Sequence, residues 1–233
     1  MATRQLLNEL LALYAAQGGD HLKLESVGGI DAAKRVQAGE VFDIVFLASD
    51  AIDQLVACGH LDGTSKVQLA DSGVAVAVRA GADIPDISRT EAVRAAVLAA
   101  KNLSYSTGPS GVALAKLFES WGIAQQIQPR IVQAPPGVPV GRLVAQGEVE
   151  LGFQQLSELI HLEGITLLGP LPADIQITTT FSAAISMACA HRAYASALLA
   201  FLTSEQAVAA IRRQGMEPAT HQASTHHDAD TKE

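Results

Sequence analysis

The stretch Leu103-Ser-Tyr-Ser-Thr-Gly-Pro-Ser-Gly111 gathers groups that can grip a negative charge without carrying a positive one. Ser104, Ser106, Thr107 and Ser110 supply hydroxyl donors. Behind them, Val112–Trp121 places Val112, Leu114, Ala115, Leu117, Phe118 and Trp121 at the spacing of a helix with one buried face. The first N–H groups of such a helix have no internal acceptor and sit at the positive end of its dipole, which suits an oxyanion or carboxylate. Two readings of this start compete. Either Thr107, Gly108, Ser110 and Gly111 form an anion cradle, or Thr107 or Ser110 merely caps the helix. The cradle reading requires other loops aimed at the same place.

The elements that could aim them can be read along the chain. Thr3–Tyr14 has the pattern of an amphipathic helix ended by Gly18-Gly19, and Leu22–Ser26 alternates like a strand. Val27-Gly28-Gly29 leads to a short helix, Asp31–Ala38, with Asp31 as its cap. Phe42–Leu47 is an apolar run expected of a strand covered on both faces, and it leads through Ala48-Ser49-Asp50 into a helix ending at Gly59. This alternation reads as a parallel α/β unit, whose ligands bind beyond the carboxyl ends of its strands, near Ser26–Gly29 and Ala48–Ser49.

Val74–Val78 is a strand or a crossing between lobes. Ser88 and Glu91 have capping-box spacing for a helix running to about Lys101. Ile131–Gln133 is strand-like, and Ala134–Pro139 is a stiff turn feeding a helix through Gln146, with Pro139 in its first turn. Glu148–Phe153 and Ile165–Leu168 are further strands, and Thr178–Met187 is a long returning one. Helices over Arg192–Leu202 and Glu205–Gln214 follow, with Thr203 or Ser204 as cap and Gly215 as stop. The expected organisation is α/β, with two lobes joined by two crossing segments that form a hinge. Lobe I comprises 1–77 and 181–219, lobe II is the inserted 78–180, and 220–233 is a disordered tail holding His221, His226 and His227. A helix opening the chain with no strand before it suggests a clipped N-terminus.

Composition narrows the function. The chain has 233 residues, of which 48% are hydrophobic and 17% charged, so it can bury a proper core and is too apolar for disorder. A net charge of −8 with no basic run argues against a nucleic-acid surface, and an anion would have to be held by local neutral dipoles. Cys58 and Cys189 match no metal or redox spacing. Each reads as a buried free thiol, with a disulfide between them the alternative. No metal or cofactor is called for.

Phe42-Asp43-Ile44-Val45, Thr107-Gly108-Pro109-Ser110-Gly111, Gly147–Gly152 before Gln154-Gln155, and the ending Phe201–Ser204 to Gly215–Pro218 occur in an order that resembles the molybdate-binding-protein-like branch of the type II periplasmic solute-binding proteins. The resemblance covers Met1–Pro218. It implies two α/β lobes closing on a small oxyanion or organic acid, delivered as a monomer to an ABC transporter permease. It further implies ligand contacts at Ala2 and Thr3, at Gly28 and Gly29 where molybdate binders carry serines, and at Thr107–Gly111. Gly137 in the turn before the next helix, and Gln155 at a position those binders fill with tyrosine, complete the set, with Ser49 added from the strand-end argument. The location implied is periplasmic if a leader was removed and cytoplasmic if the chain is complete as given.

The same branch includes proteins acting on tricarboxylates and related unsaturated acids, an aconitate isomerase among them. The second implied activity is therefore a cofactor-independent isomerase, with Gln155 donating to a carboxylate and Arg4 near the N-terminus as a possible partner. A proton shift needs a base. Glu25, Asp43, Asp50 and Glu158 are the candidates, with no paired arrangement among them; Asp43 reads as a structural strand-end residue and Glu158 as a solvated helix residue. A regulator's effector-sensing domain shares the fold class, but no DNA-binding helix pair precedes Thr3.

Overall fold

The computed structural model describes residues 2–20, 22–135 and 137–219. In chain order it runs α1 (Arg4–Ala16), α2 (Gly29–Gln37), β1 (Ile44–Ala48), α3 (Ser49–Ala57), β2 (Val67–Arg79), α4 (Thr90–Ala99), β3 (Leu103–Tyr105), α5 (Pro109–Ser120), α6 (Ala124–Ile127), α7 (Val140–Gln146), β4 (Leu151–Gln155), α8 (Leu156–Leu159), β5 (Ile165–Pro170), β6 (Thr178–Ile185), α9 (Arg192–Leu202), α10 (Glu205–Arg213) and β7 (Glu217–Pro218). Met1, Pro136 and the 220–233 tail with its three histidines lie outside the described residues.

β2 joins the two halves. Residues Val67–Gly73 pair with β6, whereas Val74–Ala77 pair with β4 and Ala75–Arg79 with β5, giving the ladder order β1-β6-β2-β4-β3. Val74–Val78 is thus both strand and crossing. Its valines alternate with alanines and are buried throughout, as expected where a strand is sandwiched between layers. One core collects Leu6, Leu7 and Leu10 of α1 against Leu198, Leu199 and Leu202 of α9 and Ile211 of α10. Another collects Val74 and Val76 with Val97, Leu114, Phe118 and Phe153. Phe118 meets Tyr105 and Phe153 edge-on at ring-centroid distances of 5.8 and 6.0 Å, which fixes α5 over β3 and β4.

Several local expectations are corrected. Leu22–Ser26 forms no strand, because no described strand lies alongside to complete its ladder; it is held instead by Glu25, which pairs with Lys23 and Arg35. β1 consequently pairs antiparallel with β6, and its residues alternate between buried and half-buried rather than being covered on both faces. The parallel pair among the described strands is β3 with β4. Asp31 does not cap α2, which starts two residues earlier at Gly29, with Gly28 as its N-cap, and leaves Asp31 in its first turn. The Ser88–Glu91 box does not form: Asp86 accepts the Ser88 N–H at 2.8 Å, and α4 starts after Arg89 and ends before Lys101. Ile131 makes a single bridge to Leu103 rather than a strand. Pro139 precedes the first turn of α7 instead of lying in it, and β4 starts three residues later than Glu148. Both cysteines are free, but Cys58 is exposed, not buried. Among the described residues no single helix is long and apolar enough to cross a membrane.

Candidate functional site

β3 and β4 run parallel in register, Leu103 beside Leu151 and Tyr105 beside Phe153, so the chain leaves both at one edge. Ser106–Thr107 and Gln154–Gln155 therefore emerge side by side. α5 starts from the first of these exits and α8 from the second. α7 reaches the same edge, because the Gly141 N–H donates to Gln154 Oε1 at 2.9 Å.

α5 is built to leave this edge positive. Its N-cap is Gly108, with no side chain capping it, so neither Thr107 nor Ser110 plays that part. No acidic residue stands in its first turn. Gly111 and Val112 donate to the Gly108 carbonyl, while the Thr107, Gly108 and Ser110 N–H groups have no acceptor among the described residues. Ser110 is buried, and its hydroxyl lies 3.0 Å from that of Ser106. Two hydroxyls in contact share one proton between them and leave the other able to donate outward. Gly111 is a glycine by necessity, since a Cβ there would overlap the Ser106 carbonyl oxygen.

The second edge belongs to β1. A Cβ on Gly29 would lie 3.7 Å from Leu47 Cδ2, so the start of α2 sits beside the carboxyl end of β1, where Ser49 begins α3. Gly28 and Gly29 are exposed, but Asp31 and Asp50 stand in the first turns of α2 and α3. Those carboxylates offset part of the dipole charge there, so this edge contributes open backbone more than positive potential.

Gln155 lies where the two edges meet. Its amide nitrogen faces Ser72 Oγ at 2.8 Å, Ser72 O at 3.0 Å and Gly73 O at 3.3 Å, and its oxygen accepts from Thr179 Oγ1 at 2.8 Å. The opposite orientation would press an amide oxygen against two carbonyl oxygens. Gln176 clasps the same crossing: its Oε1 accepts from Val74 N–H at 3.0 Å and Ile177 N–H at 2.8 Å. The hinge strands are thus bound by two glutamines. In this arrangement the protons of Gln155 are engaged by β2, which leaves its oxygen's second lone pair rather than a free donor. Ala48 pairs with Phe181, two residues, or about 7 Å, along β6 from Thr179, so the end of β1 lies beside the same crossing.

The predicted residues sort accordingly. Thr107, Gly108, Ser110, Gly111 and Gln155 share the lobe II edge, with Gly137 three residues before α7 and exposed. Gly28, Gly29 and Ser49 gather at the end of β1. Ala2 is buried in the core around α1, and Thr3 is the N-cap whose carbonyl accepts from Leu7. Among the described residues no hydrogen bond ties Ala2 or Thr3 to the others. Arg4 is exposed. A hollow of about 390 Å³ lies elsewhere, between α1 and the 22–24 segment; Leu11, Ala12, Ala15, Leu22 and Leu24 make its walls apolar, which offers an anion nothing beyond Asn8.

Of the candidate bases, Glu158 departs from expectation. It is half-buried rather than solvated, and burial pushes its carboxyl above the usual range, opposed in part by a nearby positive charge and then by the Gln154 amide. Glu25 is exposed and held down to about 2 by Lys23 and Arg35. Asp43 precedes β1, at the end of the strand away from the site, where its carbonyl accepts from Ser186. The residues missed from sequence are Ser72, Thr179, Gln154 and Gly141, which touch the edge through contacts far apart in the chain. Among the described residues, no three His, Cys, Asp or Glu side chains are grouped to hold a metal ion.

Residues 1–217 match the family described as bacterial extracellular solute-binding protein. The aconitate isomerase of a Pseudomonas species is 38% identical over 185 residues, covering 79% of this chain and 70% of that protein. The periplasmic molybdate-binding protein of Azotobacter vinelandii superposes with a TM-score of 0.79 at 21% identity, covering 94% of this chain and 96% of that one. PEB3 with L-phospholactate bound superposes with a TM-score of 0.71 at 14% identity and the same coverage. The last two likenesses show the type II periplasmic-binding fold.

Proposed function

We propose, from the premise that this chain belongs to the bacterial extracellular solute-binding protein family, that it captures a small organic polycarboxylate between its lobes. The observation that carries this reading is the uncapped, acid-free start of α5 beside the Ser106–Ser110 hydroxyl pair, at an edge that opens onto a two-strand hinge. Lobe I as 1–77 with 181–219 and lobe II as 78–180 would close on the ligand. Thr107, Gly108, Ser110 and Gly111 would hold it from one side, and Gly28, Gly29 and Ser49 from the other. A carboxylate fits better than molybdate because glycines replace the serines of the second loop and because the 38% identical relative is named for an organic acid. Delivery of the bound acid to an ABC transporter permease outside the cytoplasm is the role this family membership supports. In that role the chain would act as a monomer.

Turnover is the second reading, favoured by that relative's name and by the half-buried Glu158 at the same edge. In it the bound acid is isomerised without a cofactor.

Thermal melts with trans-aconitate, citrate, molybdate or sulfate test capture. A ligand at a hundred times its Kd adds about 2.7 kcal/mol, which in a chain of this size raises Tm by roughly 5–10 °C. The expected result is a shift with one of the polycarboxylates and none with sulfate. A shift with molybdate alone would make the ligand an inorganic oxyanion, and no shift with any of the four would remove the polycarboxylate reading.

A further inference from the structure

Glu158 stands in the first turn of α8, three residues past Gln155, on a helix that starts at the edge where α5 and α7 also begin. Its surroundings follow from two contacts. Gln154 Oε1 accepts the Gly141 N–H, which turns the Gln154 amide nitrogen away from α7 and sets it against the Glu158 carboxyl. Leu159, the next residue, packs against α7, since a Cβ on Gly141 would lie 2.7 Å from Leu159 Cδ2; Leu156 packs under Gly215 on the other side. α8 is therefore pinned, and Glu158 is held half-buried on a short rigid element rather than on a loop. Among the described residues no Lys, Arg or His side chain forms an ion pair with it.

A half-buried carboxyl with no side-chain cation paired to it, fixed on a pinned helix beside a site for an anion, is placed to exchange a proton there. The other three candidates from the sequence do not compete. Glu25 is exposed and ion-paired, Asp43 lies at the far end of β1, and Asp50 is exposed on the lobe I edge.

We propose that Glu158 is the acid–base residue of this edge, taking a proton from the methylene of a bound unsaturated polycarboxylate and returning it to the far alkene carbon. This rests on the turnover reading. In the first half the methylene C–H bond breaks, the Glu158 O–H bond forms, and the electron pair spreads over the allylic carbons and the attached carboxyl group. In the second half the O–H bond breaks and a C–H bond forms at the other end of the allylic unit, shifting the double bond by one carbon. No electrons are gained or lost and no further reactant is consumed. The hydroxyl and N–H donors of the α5 start face the charge that develops on the carboxyl oxygens. Burial suits the role, since it brings the carboxyl closer to neutrality as a base.

The test follows trans-aconitate by proton NMR with the full chain, its Glu158→Gln variant and its Glu158→Asp variant, alongside the Kd of each by calorimetry. The expected result is conversion to the cis isomer by the unaltered protein and a kcat at least about 100-fold lower in Glu158→Gln, with Kd changed by less than about threefold. Equal rates in the two would overturn the assignment and leave turnover standing. Binding without conversion by the unaltered protein would remove the turnover reading, and the assignment with it. Should Glu158→Gln fail to bind, Glu158→Asp decides: its shorter reach must lower kcat at least about tenfold with Kd retained, and an undiminished kcat overturns the assignment.

Discussion

Gly111→Ala is expected to abolish ligand-induced stabilisation and to lower the stability of the free protein. The added Cβ would overlap the Ser106 carbonyl oxygen, which is backbone and cannot rotate away, so the turn into α5 must open. Overpacking of this kind costs about 1–3 kcal/mol, or a Tm lower by roughly 2–12 °C. The ligand effect is larger than the stability effect because the same turn fixes the Ser106–Ser110 pair and aims the free N–H groups of Thr107, Gly108 and Ser110. Gly108→Ala is the control. Its φ of −80° suits any residue, and the nearest atom to a Cβ is Ser106 Oγ at 4.0 Å, so the fold should be unchanged. Melts of both variants with and without trans-aconitate separate loss of the site from loss of the fold.

Gln155→Glu is expected to loosen the hinge without altering side-chain size. The substitution replaces two amide protons with a second acceptor oxygen, and that oxygen would face Ser72 O and Gly73 O. Ser72 is fully buried, so its carbonyl would lose a donor it has no water to replace, even though its hydroxyl can turn to donate to the new carboxylate. Buried polar groups left unsatisfied cost about 1–3 kcal/mol each. Stability should therefore fall by a comparable amount, and more at pH 8 than at pH 5, where the new carboxyl can be protonated and donate again. Affinity should fall as well, because an unclasped crossing lets β2 and β6 sample lobe angles the ligand cannot bridge. Gln155→Leu should weaken both in the same direction at either pH. A Gln155→Glu protein with the melting temperature and affinity of the original would show that the clasp holds nothing.

These two sites mark how far the sequence could be read. The α5 start was legible because a glycine-proline-serine-glycine run before an apolar 3.6-residue period is a local pattern, and local patterns suffice to start a helix. The crossing at Val74–Val78 and the return over Thr178–Ile185 were legible for the same reason, as β-branched runs. Leu22–Ser26 was misread because alternation specifies which side chains face inward but not whether a neighbouring strand exists to take the backbone bonds. Asp31 has the chemistry of a cap, yet Gly28 took the position because the backbone turned three residues sooner. Gln155 was placed at the site but given the wrong bonds. Its partners Ser72 and Thr179 lie 83 residues before it and 24 after it, and nothing local announces them. Glu158 looked solvated because Gln-Gln-Leu-Ser-Glu is a polar turn on paper; α7 and Gly215 enclose α8 in space.

The most direct measurement is a crystal structure of the protein grown with trans-aconitate. The predicted result places carboxylate oxygens within hydrogen-bonding distance of the Gly108 and Ser110 N–H groups on one side and of the Gly28–Gly29 backbone or Ser49 on the other. An acid bound to one lobe alone, or seated away from the start of α5, would contradict it.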